Sequence, residues 1–117
     1  MNISLKPFQD ERPWGYFRQF CANTPVTVKI ISVKPGEMLS LQSHNKREEF
    51  WRVISGSGTA LVGDKQLEIK VADELIIPVN AKHRLVADEH GLEILEIAVG
   101  DFDENDIIRY DDKYNRQ

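Results

Sequence analysis

The sequence predicts one small all-β barrel with extended ends, and three observations carry that prediction. Apolar and polar residues alternate over short runs, which is the period of a half-buried strand. The runs are rich in Val, Ile and Thr and stop at Gly, Pro, Asn or Asp, as strands and their turns do. Their close spacing leaves no place for the crossover helices of a parallel α/β sheet. A chain of 117 residues supports one core and is too short for two.

The elements follow in order. Residues 1–25, with "ERPWGYF" at Glu11–Phe17, read as an N-terminal arm, residues 26–100 as the barrel and residues 101–117 as a tail. "VTVKIISVK" (Val26–Lys34) alternates and stops at Pro35-Gly36, and "LSLQSH" is a second extended stretch. "EFWRVI" ends at Ser55-Gly56-Ser57-Gly58, after which "TALV", Gly63-Asp64 and "KQLEIK" read as a hairpin. "ELIIP", "HRLVA" and "LEILEIAV" read as three further strands. In the tail, Asp103 is suited to cap one short helix over "ENDIIRY". The tail as a whole reads as a lid or a dimer strap, with Arg109 and Tyr110 turned inward.

Composition excludes several classes of function. A net charge of −4 argues against a nucleic-acid binder. The longest apolar stretches, such as Leu75-Ile76-Ile77, fall far short of a bilayer span. The N-terminus lacks the cationic and apolar blocks of a secretory leader. The single cysteine, Cys21, excludes an internal disulfide and reads as a small apolar filler. The expectation is a cytoplasmic protein that binds neither nucleic acid nor membrane.

One constellation stands out from this frame. Gln42 and His44 are two apart on an extended stretch, Glu49 opens "EFWRVI", and His83 opens "HRLVA" behind Pro78. Converging inside a barrel, they would offer two imidazoles, a carboxylate and an amide oxygen. That donor set suits a divalent ion such as Zn²⁺, Fe²⁺, Mn²⁺, Co²⁺ or Ni²⁺ better than Ca²⁺, and leaves a position for substrate or water.

The spacing is similar to the two metal-binding motifs of the cupin superfamily, a jelly-roll barrel or double-stranded β-helix. Gln42 stands for the earlier His of the first motif; in the second, Asn80 stands where Gly is usual and Ala87 where Asn is common. A closer resemblance covers nearly the whole chain. "ERPWGYF", "VKPGEMLSLQSH", "REEFWRVISGSG", "IPVNAKHRL" and "ENDIIRYDDKYNR" resemble the C-terminal cupin domain of type II phosphomannose isomerases. That domain is often fused behind a mannose-1-phosphate guanylyltransferase, for which this chain has neither a Gly-rich phosphate loop nor room. One departure is local: the family commonly runs His-His-His-Arg where this chain has His44-Asn45-Lys46-Arg47.

The resemblance implies a metal-dependent aldose–ketose isomerase of a sugar phosphate, mannose 6-phosphate to fructose 6-phosphate, serving GDP-mannose and polysaccharide precursor synthesis. Such a reaction needs a polarised oxygen, a base and a cationic grip on phosphate. Strand parity supplies candidates. Setting Glu49 inward also sets Arg47, Trp51 and Val53 inward, and Arg47 can grip an oxyanion bidentately. Lys29 shares a face with Ile31 and Val33 and matches a Lys expected at this family position. Glu96 is bracketed by apolar residues; inside the barrel it would be a base with a raised pKa, outside it a surface carboxylate. Two other classes share these ligands: a non-catalytic, metal-bearing sugar-binding cupin, and an Fe²⁺ dioxygenase. Finally, Phe50 and Ile54 put apolar groups on the opposite face of "EFWRVI". That face is expected to pack against a second copy in a homodimer, the alternative being cover by "ERPWGYF" of the same chain.

Overall fold

The structure is a computed structural model that describes residues 5–114. Residues 1–4 and 115–117, which hold the start of the stretch read for a leader and the end of the expected strap, lie outside the described residues. The described residues form nine strands: β1 (Phe8–Arg12), β2 (Gly15–Gln19), β3 (Val26–Val33), β4 (Leu41–Ser43), β5 (Arg47–Val62), β6 (Lys65–Lys70), β7 (Glu74–Ile77), β8 (His83–Gly100) and β9 (Ile108–Asp111). β1 and β2 form a hairpin of their own, and the other seven form one folded sheet.

Two long antiparallel strands, β5 and β8, are the spine. Near their middles both bend, so each serves two layers. One layer is β3, the second half of β8, the first half of β5, and β7. The other is β9, β4, the first half of β8, the second half of β5, and β6. Between the layers lies the core, built on Val33, Trp51, Val53, Ala60, Ile69, Ile77, Leu85, Ala87, Leu92 and Ile94. This is a jelly-roll barrel, as the sequence predicts.

The bend changes the phase of the alternation. On β8 the inward residues are His83, Leu85 and Ala87 before the bend, but Leu92, Ile94 and Glu96 after it. On β5 they are Glu49, Trp51 and Val53, and then Ala60. Irregular register between Val53 and Ser55 and between Gly56 and Gly58 absorbs the slip. Glycine is required there. A Cβ on Gly56, whose φ is +77°, would lie 2.0 Å from the carbonyl oxygen of Gly91, and one on Gly58 would lie 2.1 Å from that of Val86. Thus "EFWRVI" and "TALV" are one strand, as are "HRLVA" and "LEILEIAV", where separate strands are expected from the sequence.

The expected C-terminal helix is not present; the described residues contain no helix. Asp103 uses its capping chemistry to close a turn: its carboxylate accepts the Asn105 N–H at 2.9 Å and its carbonyl the Asp106 N–H at 2.9 Å. The following "IRYD" then pairs with β4 as β9. Strand pairing outbids a helix of this length because an isolated turn of helix has no packing face to hold it.

The outer face of β5 is covered from within the chain, by residues flanking "ERPWGYF". Leu5, Phe20 and Cys21 pack on Phe50, Ile97 and Val99, with the Phe20 and Phe50 rings 5.4 Å apart. Cys21 is thus the apolar filler expected. Arg18 ties the hairpin to the barrel through Glu74, which also takes Arg52. Trp14, at the hairpin tip, is 73% exposed, whereas Trp51 is buried.

Candidate functional site

The candidate site side chains arrive on the inner wall of the barrel; of the two tail residues expected to turn inward, Arg109 lines the cavity and Tyr110 does not, being 41% exposed with its hydroxyl against Ser43 Oγ. Glu49 and Arg47 sit on β5, His83 opens β8, and Glu96 lies further along it. Gln42 lies on β4 directly opposite His83, and His44 follows β4. On the adjoining strands Lys29 pairs with Glu96, and Glu96 pairs with Trp51. Eight of these residues divide into a deep group and a mouth. Lys29, Gln42, His44, Arg47, Glu49 and Glu96 line a cavity of about 200 Å³, to which the tail adds Glu104, Ile107 and Arg109. His83 and Trp51 lie beneath, their rings 5.5 Å apart.

His44, Glu49 and His83 bring one ligand atom each to within 4.8 Å of one another, and all three are buried. Nε2 of His44 is 3.4 Å from Glu49 Oε2, and Nε2 of His83 is 3.6 Å from Glu49 Oε1. Burial holds both imidazoles neutral near pH 7: it pushes His83 down to about 4, and lowers His44 with a smaller push from Arg47. These approaches are therefore not ion pairs. Each ring also has its tautomer set by a backbone carbonyl. Nδ1–H of His44 donates to Asp106 O at 2.7 Å, and Nδ1–H of His83 to Ala81 O at 2.9 Å. The Nε2 lone pair of His83 consequently faces the Glu49 carboxylate, and that of His44 lies beside both Glu49 and Arg47.

That arrangement fits a divalent cation. Glu49 Oε1 and His83 Nε2 are fully buried and have no hydrogen-bond partner, a costly state for two acceptors facing one another. An ion between them would satisfy both. Gln42, the fourth expected ligand, lines the same cavity, and its amide oxygen accepts from Ser40 Oγ at 3.3 Å. Arg47 reaches the same group: its Nε donates to Glu49 Oε2 at 3.0 Å and its Nη2 donates to His44 Nε2 at 3.2 Å.

Glu96 lies inside, resolving the alternatives left by its flanking residues. It is 3% exposed and accepts from Trp51 Nε1 at 3.3 Å. Burial first, then the charge of Glu49, pushes its carboxyl up to about 7. Lys29 Nζ stands 4.4 Å over the Phe102 ring and 3.5 Å from Glu104 Oε1; the Arg47 guanidinium lies 4.5 Å over the same ring.

The tail residues Phe102, Glu104 and Asp106 are the part of the site that spacing does not reveal. Asp106 accepts the backbone N–H groups of Asn45 and Lys46 at 2.9 Å each. Only the expectation of a lid pointed toward them. Asn45 and Lys46 themselves, where the resembled family carries histidines, are exposed and do not line the cavity.

Comparison with known proteins places the chain in a family and a fold. Residues 6–112 match the family described as mannose-6-phosphate isomerase, C-terminal. The xanthan biosynthesis protein XanB of Xanthomonas campestris pv. campestris is 38% identical over 107 residues, covering 90% of this chain and 23% of that protein. Mannose-1-phosphate guanylyltransferase 2 of Escherichia coli O157:H7 is 37% identical over 110 residues, covering 91% of this chain and 22% of that protein. The chain thus spans under a quarter of the length of these relatives. Among solved structures, a cupin protein from Bacteroides fragilis superimposes with a TM-score of 0.61 at 25% identity, covering 66% of this chain and 67% of that one.

Proposed function

The chain belongs to the mannose-6-phosphate isomerase C-terminal family and has a cupin fold, and from that premise we propose that it is a metal-dependent aldose–ketose isomerase of a sugar phosphate. The substrate is mannose 6-phosphate and the product fructose 6-phosphate, in the cytoplasm, on a route to polysaccharide precursors. The relatives named for xanthan biosynthesis and for guanylyl transfer to mannose 1-phosphate support that setting. No described helix is long and apolar enough to cross a membrane.

One observation carries the reading. Glu96, a buried carboxyl poised near neutrality, lines one cavity with His44, Glu49, Lys29, Arg47 and Arg109, and His83 lies beneath it. His44, Glu49, His83 and Gln42 would hold the ion, which supplies Lewis-acid polarisation of the sugar's carbonyl and hydroxyl oxygens. Ionised Glu96 takes the proton from C2 and delivers one to C1, while the hydroxyl proton passes from O2 to O1 and the carbonyl moves from C1 to C2. Glu49, engaged by Arg47 and by the ion, is the poorer base. Trp51 orients the Glu96 carboxyl by its indole N–H. Lys29 neutralises charge developing on the sugar oxygens, and Arg47 holds the anionic end. The exposure of Asn45 and Lys46 supports activity, because the departures from the family pattern fall away from the cavity.

The test is solvent exchange. Protein loaded in turn with Zn²⁺, Fe²⁺, Mn²⁺, Co²⁺ and Ni²⁺ is expected to exchange the C2 proton of mannose 6-phosphate with D₂O, read by NMR. No exchange with any ion would overturn the isomerase reading, and sugar-phosphate binding without exchange would replace it with a binding module.

We also propose that the protein is a homodimer. β3 pairs on one side only among the described residues, and its outward Val28 and Ile30 are exposed. An edge strand without charge or proline on that face invites pairing with a second copy.

A further inference from the structure

We propose that Asp106 is a positioning residue for the metal centre, through which the C-terminal tail fixes the tautomer of His44 and with it the grip on a divalent cation. The inference rests on the metal reading given above. Asp106 is 9% exposed and acts on three consecutive residues at once. Its carbonyl receives the His44 Nδ1–H at 2.7 Å, while its two carboxylate oxygens separately receive the N–H groups of Asn45 and Lys46 at 2.9 Å. Both oxygens must accept, so a neutral amide cannot replace the carboxylate without turning a donor toward one N–H. The residue is itself anchored, because its own N–H donates to the Asp103 carbonyl.

The consequence for His44 is specific. With the proton held on Nδ1, Nε2 keeps a lone pair, which accepts from Arg47 Nη2 in this structure and which a cation would take in its place; the other tautomer would present an N–H there instead. His83 does not share this dependence, since its Nδ1 partner, Ala81, is two residues away on the same segment. The tail therefore governs one imidazole of the pair and leaves the other alone. Loss of such an outer partner weakens metal binding by roughly 10–100-fold.

The experiment uses the whole chain with Asp106→Ala and Asp106→Asn. Zn²⁺ affinity is measured by competition with a chromophoric chelator, and the ring nitrogens of the metal-free protein by ¹⁵N NMR. Asp106→Ala keeps the carbonyl that receives His44 but removes the carboxylate that clamps it to Asn45 and Lys46, and is expected to weaken Zn²⁺ binding by about tenfold, the low end for a disturbed outer partner. It should also convert His44 from one Nδ1–H form to a mixture, with the His83 ring signals unmoved. Asp106→Asn should give a smaller change in the same direction, and it carries the test if the alanine variant does not fold. Wild-type uptake of Zn²⁺ with unchanged affinity and unchanged His44 signals in a folded variant would overturn this proposal alone. Wild-type protein that takes up none of Zn²⁺, Mn²⁺ and Fe²⁺ would overturn both this proposal and the metal reading.

Discussion

Glu96 and His83 stand on one apolar wall, and burial moves their pKa values in opposite directions. In the metal-free protein the raised Glu96 contributes stability that is complete below the ordinary carboxyl range and lost as pH rises through about 7. His83, lowered from 6.5 to about 4, contributes stability that is present above 6.5 and lost as pH falls through about 4. Because the windows overlap, Glu96 is isolated by difference: from pH 5 to pH 7, wild type should lose melting temperature relative to Glu96→Gln, both measured without metal. In the loaded enzyme Glu96→Gln should lower kcat by about a hundredfold with metal content retained. There the cation offsets the Glu49 charge, so the wild-type rate should climb with pH through a midpoint below the metal-free value of about 7, and a profile that Glu96→Gln leaves unchanged would remove Glu96 from the role. His44→Ala and His83→Ala should each release the ion while circular dichroism stays that of a β protein; elemental analysis reads the difference. Individual residues were legible to different degrees. The four candidate ligands announce themselves by spacing along strands. Asn80 is informative in hindsight: its φ of +67° is a conformation that Gly, and after it Asn, adopts readily. Asp106 carries no such signal, because its partnership with His44 spans 62 residues and obeys no local period.

At the scale of strands, alternation is readable within each half of β5 and β8 and misleading across the bend. Arg47, Glu49, Trp51 and Val53 do share one buried face, and Ile94 and Glu96 share theirs. Nothing in a period of two announces the slip between Ala87 and Leu92, which depends on which backbone groups approach at Gly56 and Gly58. Gly56→Ala should therefore destabilise the protein by roughly 2–5 kcal/mol, the sum of a positive-φ cost and an overpacking cost. Urea unfolding checks it, and a change within error would show that the bend can relax. The tail illustrates the converse failure. Asp103 is a good helix cap by composition, yet the partner that decides the outcome is β4, sixty residues earlier in the chain by rough count, and strand pairing at that range has no sequence period.

For the molecule as a whole, the covered outer face was foreseen and its cover only half so. Phe50 is covered by Leu5, Phe20 and Cys21 beside the expected segment, while Ile54 remains 40% exposed. Val28 and Ile30, which alternate with inward Lys29 and Ile31, leave a second apolar strip at 56% and 63% exposure. This is the surface on which the dimer proposal stands. Ile30→Glu should shift sedimentation from dimer to monomer at micromolar concentration without lowering metal content. A wild-type monomer at that concentration would remove the proposal and leave the strip as ordinary surface.

The change of phase on β8 has a hereditary consequence. His83 and Glu96 both point inward although an odd number of steps separates them, so their common orientation depends on one slip being present between them. Deleting a single residue there would restore unbroken alternation and turn Glu96 out into solvent, with every side chain after it. A point substitution in this stretch alters one contact; a loss or gain of one codon's worth of chain inverts a wall. Among descendants of a common ancestor, length changes should therefore collect in turns such as Gly63-Asp64 and be purged between His83 and Glu96, whatever the drift in residue identity.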